Sequence, residues 1–386
     1  MGKKAMIRVG FIGAVSKEWM GGLNYYKNLL FALSTIEEKR IEPIVFLGVK
    51  TEESIKAMFR QYAQVIEHPL FDRKSFQWFL WRVIHRLFDS EYFLERLLKQ
   101  HHITVLSHAS IVSLKSCKTI NWIPDFQHLH LPAMFSASEL RQRDDTFLHL
   151  AQYSDAIILS SYDALSDFAI FAPTYAPKAK ILQFVSQPDK KYFELTEYDE
   201  KQLRAKYALS DPFFYLPNQF WKHKNHITVF EAITLLKEKE INITIVCTGH
   251  LHDYRNSEYI DTLQNYIQLH QLNDHIRLLG LVDYADVFAL IKFSQAVINP
   301  SLFEGWSSTV EECKSVGKNM ILSDINVHKE QYPQAVFFEK YSPSSLACIL
   351  ESYSTFKLHG QPILDLKKQM EIFAKRYETI VFEVIQ

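Results

Sequence analysis

The stretch from Val297 to Glu330, VINPSLFEGWSSTVEECKSVGKNMILSDINVHKE, leaves this chain the fewest alternatives. QAVINPS and NMILSD are short β-branched and aliphatic runs bounded by turn residues, the pattern of buried strands. Between them LFEGWSS reads as a loop and TVEECKSVGK as a helix. A strand–loop–helix–strand unit is half of a doubly wound α/β domain, where ligands sit in the crevice at the carboxyl ends of the strands. The loop holding Glu304, Gly305, Trp306, Ser307 and Ser308 therefore opens into a candidate ligand crevice. The amides of Ser307 to Val310 begin the helix, and free helix-start amides hold phosphate well.

The rest of the chain repeats this logic. In the first half the expected strands are 5–14, 43–48, 104–108, 119–125, 156–161 and 180–186, with helical apolar spacing between them. From Pro212 onward FFYLPN, INITIVCTG, IRLLGLV, QAVINPS, NMILSD and AVFFEKY follow as strands, with helices such as 228–239 and 283–293 between. Alternation of this kind predicts a mostly parallel sheet covered on both faces, here twice. The polar stretch 189–206 has no strand pattern and is the expected linker, and 377–386 is an expected terminal helix.

Composition sets the remaining bounds. At 386 residues, nearly half of them apolar, the chain has material for two cores. Lys and Arg number 43 against 44 Asp and Glu, so no basic surplus points to a nucleic-acid partner. Cys117, Cys247, Cys313 and Cys348 are far apart and lack metal-ligand spacing, which reads as buried reduced thiols in a cytoplasmic protein. The N-terminal apolar run is short and contains Arg8, so it reads as the first buried strand and not as an export signal. No apolar span reaches membrane-crossing length.

Two carboxylates flank the phosphate cradle, Glu304 in the loop and Glu312 in the helix, with seven residues between them. On spacing alone, Thr309 and Glu312 also fit a capping box, which does no more than start a helix. Asn299-Pro300-Ser301 before the first Glu, and Gly317 through Ser323-Asp324 after the second, extend the pattern. Together these residues resemble glycosyltransferase family 4, retaining enzymes that use nucleotide-sugar donors. The resemblance implies the GT-B architecture, two Rossmann-like doubly wound α/β domains facing a cleft. Its expected divisions are an acceptor-binding domain over 1–190, a nucleotide-sugar-binding domain over 191–370, and a terminal helix over 371–386 crossing back to the first.

The same resemblance assigns roles. Lys224 and the amides of Ser307, Ser308 and Thr309 would hold the donor diphosphate, Glu304 the hydroxyls of the transferred sugar, and Glu312 the ribose. The family has an Arg five residues before its Lys; Gln219 stands there, donating a hydrogen bond but no charge. Gly249 matches a glycine near the nucleotide. Gly21-Gly22, followed by an apolar-periodic helix that Asn24 could cap, matches a loop beside the diphosphate and the acceptor; alone, such a pair is an ordinary turn. It is not the GxGxxG dinucleotide fingerprint. In WIPDFQHLHLP the family's His-Asp pair is replaced by Pro124-Asp125, leaving His128 or His130 to supply the sugar contact. Those two histidines lack the further ligands that a zinc site needs.

One more segment stands out. In residues 73–88, RKSFQWFLWRVIHRLF, an apolar stripe (Phe76, Phe79, Leu80, Val83, Ile84, Leu87) is flanked by Trp78, Trp81, Arg82 and Arg86. Basic and aromatic residues together suggest a helix lying on anionic lipid, and the plain alternative is a helix packed on the first sheet. The expectation is a metal-independent hexosyltransferase, mannose-like in sugar, acting on a glycan or lipid-linked acceptor in surface polysaccharide or lipopolysaccharide assembly. It needs no cofactor and sits in the cytoplasm, at times on the inner face of the membrane. Alternatives are a nucleotide-sugar epimerase or hydrolase of the same fold, or a non-catalytic partner protein.

Overall fold

The computed structural model describes residues 6–13, 20–88, 90–188, 191–209, 212–251, 256, 258–355 and 365–386. The chain divides into two units, each with its own sheet. The first comprises 1–126, 138–185 and 366–386; the second comprises 127–137 and 186–365.

In the first unit seven strands pair in the order β3-β2-β1-β4-β5-β6-β7, all parallel. They are β1 (Ile7–Ile12), β2 (Ile41–Leu47), β3 (Gln64–Glu67), β4 (Val105–Ser107), β5 (Lys118–Trp122), β6 (Ala156–Leu159) and β7 (Ala179–Ile181). The short edge strand β3 escapes the sequence reading because four residues, half of them polar, carry too little alternation to register. The helix Leu366–Ile385 belongs to this unit and packs on helix Met20–Thr35. It starts well before residue 377, because Met370, Phe373, Ala374, Tyr377, Ile380 and Val381 form one buried stripe at helical spacing.

The second unit has six parallel strands in the order β10-β9-β8-β11-β12-β13. Their ranges are β8 (Phe213–Leu216), β9 (Thr244–Cys247), β10 (Ile276–Leu278), β11 (Val297–Asn299), β12 (Met320–Ser323) and β13 (Val336–Phe338). Period-two alternation sends neighbouring residues to opposite faces. Phe214 and Leu216 join Val229, Phe230, Ile233 and Leu236 in one core, while Phe213 and Tyr215 join Leu290, Val310 and Cys313 in the other. Each fully buried side chain of this size contributes about 1.5–3 kcal/mol, so the sheet is a rigid platform for whatever its strand ends carry.

Much of the expected linker 189–206 is helical, with Lys191–Glu194 and Glu197–Tyr207 as helices. Asp199 accepts the Thr196 amide at 2.7 Å, and Leu203 is buried in the second unit's core, so this polar sequence carries a cap and an anchor that composition conceals. Gly21 and Gly22 lie inside the first turn of helix Met20–Thr35, so Asn24 is an interior residue and not its cap. The buried stripe through Tyr25, Tyr26, Leu29, Leu30 and Leu33 carries the helix back past the glycines. All four cysteines are free thiols; Cys348 is exposed, where burial was expected.

Candidate active site

In the second sheet the strand order reverses direction between β8 and β11, so the loops leaving those two strands diverge and open a crevice. Lys224 follows β8 and Glu304 follows β11. Their side chains meet there: Lys224 Nζ donates to Glu304 Oε1 at 2.6 Å. Both are largely shielded from water. Burial is the largest single influence and would raise the Glu304 carboxyl. The charge and hydrogen bond of Lys224, with smaller contributions from His328 and His223, together outweigh it and hold the group at about 2. Glu304 is therefore a carboxylate, and Lys224 is committed to it.

A network of polar side chains fixes the loop around this pair. Asn218 Nδ2 donates to Asn299 Oδ1 at 2.9 Å, and Asn299 Nδ2 donates to Ser307 Oγ at 3.0 Å. Ser301 Oγ lies 2.7 Å from both Asn299 Oδ1 and Glu304 Oε1. Asn225, in the left-handed conformation, spans three segments: its amide donates to the carbonyls of Pro300 and Lys340, and its Oδ1 accepts from Thr228. Buried groups so fully paired resist movement, which is the preorganisation that a charged site needs. His328 adds a neutral neighbour. Burial lowers it to about 4, its Nδ1 lies 2.9 Å from Ser323 O, and its Nε2 has no hydrogen-bond partner.

The helix Ser308–Ser315 begins at the same crevice. Its N-cap is Ser307, whose hydroxyl accepts from the Val310 amide, so the Thr309–Glu312 capping box does not form. Glu312 is instead buried, with Tyr284 Oη donating to its Oε1 at 3.3 Å; burial pushes its carboxyl up to about 7. The Ser307 amide is also taken. Gln331 Oε1 accepts it at 3.0 Å while Gln331 Nε2 donates to Ser307 O at 2.8 Å and to Glu311 Oε1 at 2.9 Å. This two-ended clip fixes the start of the helix and leaves Ser308 and Thr309 as its first turn. Gly317, at φ 65°, closes the other end, with the Lys318 amide reaching back to Cys313 O at 2.9 Å.

Gln331→Leu keeps the volume but strands the Ser307 amide and removes one of the donors to Glu311 Oε1, which keeps Lys314. The expected cost is about 1–3 kcal/mol in urea unfolding. A cost under about 1 kcal/mol would mean the clip is not formed.

Of the remaining expected residues, Gly249 occupies a position that its backbone restricts to glycine. At φ 143° a β-carbon there would stand 2.5 Å from Asn218 O and 2.8 Å from Gln219 Cα, so only glycine lets the β9 loop approach the β8 loop. Gln219 and Gly249 are thus neighbours through their backbones. Gly305 and Trp306 form the bend before the N-cap, with Lys314 Nζ 5.7 Å from the Trp306 ring. His130 is exposed, and its ring lies 5.0 Å from that of Phe303, one residue before Glu304; His128 is buried. Gly21, Gly22 and Asp125 belong to the first unit, where the Asp125 carboxylate accepts from Arg143 Nη2 at 2.7 Å. Gln331, Glu311, Tyr284, His328 and Asn225 carry much of the geometry without a sequence signal: Gln331 meets Ser307 and Glu311, Tyr284 meets Glu312, and Asn225 meets Pro300 and Lys340, all 20 or more residues apart. Among the described residues no three His, Cys, Asp or Glu side chains gather as a metal site.

A search of curated proteins finds no match. Among solved structures the chain is similar to a glycosyltransferase from Rickettsia africae (13% identity, TM-score 0.64, covering 99% of this chain and 96% of that one). It is also similar to Anabaena HepE in complex with UDP and glucose (15%, TM-score 0.63, 98% and 97%). A third is the catalytic domain of Arabidopsis thaliana starch synthase IV bound to ADP and acarbose (13%, TM-score 0.66, 99% and 100%). The two Rossmann-like units thus have the fold of GT-B glycosyltransferases. Residues 199–355, which hold Lys224, Glu304 and Glu312, match the family model described as glycosyl transferases group 1.

Proposed function

We propose that the chain is a retaining, metal-independent glycosyltransferase that moves a hexose from a nucleoside-diphosphate sugar to a glycan or lipid-linked acceptor. The observation that carries this reading is the buried Lys224–Glu304 pair at the β8/β11 reversal, inside the stretch that matches the glycosyl transferases group 1 model. Breaking the bond between sugar and phosphate puts negative charge on the leaving diphosphate. A fixed ammonium and the first-turn amides of Ser308 and Thr309 stabilise that charge in a shielded site. Ser307, its amide held by Gln331, positions this turn and does not contact phosphate through that amide. Glu304 accepts hydrogen bonds from hydroxyls of the sugar, and Glu312 from the ribose.

In the transfer step the acceptor oxygen bonds to the sugar's anomeric carbon as the carbon–phosphate oxygen bond breaks. The acceptor's proton passes to the leaving diphosphate, so no protein base is required. HepE was solved with UDP and starch synthase IV with ADP, which supports a nucleoside diphosphate while leaving the base open. A setting in surface polysaccharide or lipopolysaccharide assembly, in the cytoplasm at the inner face of the membrane, fits a lipid-linked acceptor.

Thermal unfolding against GDP-, UDP-, dTDP- and ADP-sugars tests the reading. One donor at a hundredfold excess over its Kd is expected to raise the midpoint by about 5 °C or more. Product analysis with that donor then separates transfer from epimerisation, which needs no acceptor. No shift with any donor would overturn the assignment.

A further inference from the structure

The helix Phe76–Phe88 has no buried residue. It docks on the turn Pro69–Phe71 and on helix Tyr92–Gln100, with Trp81 packed at the margin of the first unit's core. Its inner side is aromatic and polar. Trp81 Nε1 donates to Glu91 Oε2 at 2.6 Å, His85 Nδ1 lies 3.0 Å from Glu91 Oε1, and the Trp81 ring meets Phe71 edge-on. Half of the apolar stripe faces out: Phe76 is 79% exposed, Phe79 60% and Leu87 68%, with the terminal Phe88 at 72%, while Leu80, Val83 and Ile84 are half-buried. Large apolar side chains exposed together on one helix face mark an interaction surface.

Charge identifies the occupant. Residues 73–88 contain Arg73, Lys74, Arg82 and Arg86 and no acidic residue, in a chain whose formal net charge is -1. All four cations are exposed, and Arg82 and Arg86 lie along one edge of the stripe. The preceding Asp72 is turned inward, accepting the amides of Val49 and Lys50. At 13 residues the helix is roughly 20 Å long, too short to cross a bilayer, and no described helix is long and apolar enough to do so. We infer that this helix lies in the plane of an anionic lipid surface. Phe76, Phe79 and Leu87 enter the acyl boundary while Arg82 and Arg86 hold headgroup phosphates. The inference supplies the surface for the membrane placement proposed above. It rests on side-chain exposure and charge, so vesicle binding and donor binding can each fail without the other.

Flotation of the full chain with vesicles of phosphatidylcholine, with and without phosphatidylglycerol, is the test. The chain should float with the anionic vesicles and much less with the neutral ones. Phe76→Ser, Phe79→Ser and Leu87→Ser combined should cut the floated fraction by roughly tenfold or more, with the unfolding midpoint unchanged. Arg82→Glu with Arg86→Glu should do the same on anionic vesicles. A wild-type chain that stays at the bottom at low salt overturns the inference, as does a triple serine variant that floats equally well. A dimer lost in the serine variant, without flotation of the wild type, assigns the stripe to a second copy and overturns it too.

Discussion

Lys224→Met is expected to lower transfer by about 10²–10³-fold, the usual cost of removing one transition-state stabilising group, and to destabilise the protein as well. From the sequence alone, truncating Lys224 or Glu304 would abolish transfer and leave stability nearly intact. The geometry changes that expectation. With the ammonium gone, Glu304 is a shielded carboxylate that keeps the Ser301 hydroxyl but has lost its cation, and breaking a buried pair from one side costs about 3–5 kcal/mol. The double variant Lys224→Met/Glu304→Gln removes both charges. It should recover most of that stability while transfer stays at the level of the single variant or below. Urea unfolding and product formation measured on the same preparations separate the two roles. Wild-type turnover in Lys224→Met would sink the catalytic assignment. Failure of the double variant to recover stability would show that the pair contributes more than it costs to bury.

The pH dependence gives an independent check on that pair. A carboxyl held at about 2 in the folded chain, against its usual value near 4.5, contributes stability that is present above 4.5. The contribution is lost as pH falls from 4.5 through 2. In Lys224→Met it is absent, so the gap between wild type and variant should narrow on acidification.

The fold was legible because it rests on periodicities short enough to see in a string of letters. Period-two and aliphatic runs mark nearly every strand of both sheets, and Lys224 and Glu304 stand at the ends of two of them. What the string hides is contact at a distance. Gln331 clips Ser307 across 24 residues, and Tyr284 reaches Glu312 across 28; neither spacing is periodic in anything. Local competition is hidden too. Ser307 and Thr309 are both good caps, and only the Asn299 and Gln331 bonds to Ser307 decide between them. Amphipathic spacing also has no sign. The stripe of residues 76–87 is as clear as the one in the helix from residue 366, yet the second is buried while the first has no buried residue and leaves Phe76, Phe79 and Leu87 exposed. Periodicity shows that a face exists and leaves open which body covers it.

Glu312→Gln should make the protein more stable and the site worse. Burial raises the Glu312 carboxyl to about 7, with the Tyr284 hydroxyl pulling only weakly the other way. A carboxyl raised in the folded state stabilises it below the unfolded value near 4.5, and that stability is lost as pH climbs from 4.5 to 7. Above 7 the folded chain carries the full penalty of a buried carboxylate, about 3 kcal/mol. Gln has nearly the same shape, keeps an acceptor for Tyr284, and cannot ionise. Urea unfolding at pH 8 should therefore show the variant more stable by about 3 kcal/mol, with the difference shrinking towards pH 4. If the carboxylate receives the ribose hydroxyls, replacing it with an amide oxygen should weaken donor binding by roughly tenfold or more at pH 8. Wild-type affinity should itself fall about tenfold per unit below pH 7, where the carboxyl must first lose its proton. A variant that gains stability and keeps full donor affinity would remove Glu312 from the site. A variant that gains no stability would mean the carboxyl is not held in the buried position. Gain in one property with loss in the other is what distinguishes a residue kept for binding from one kept for folding.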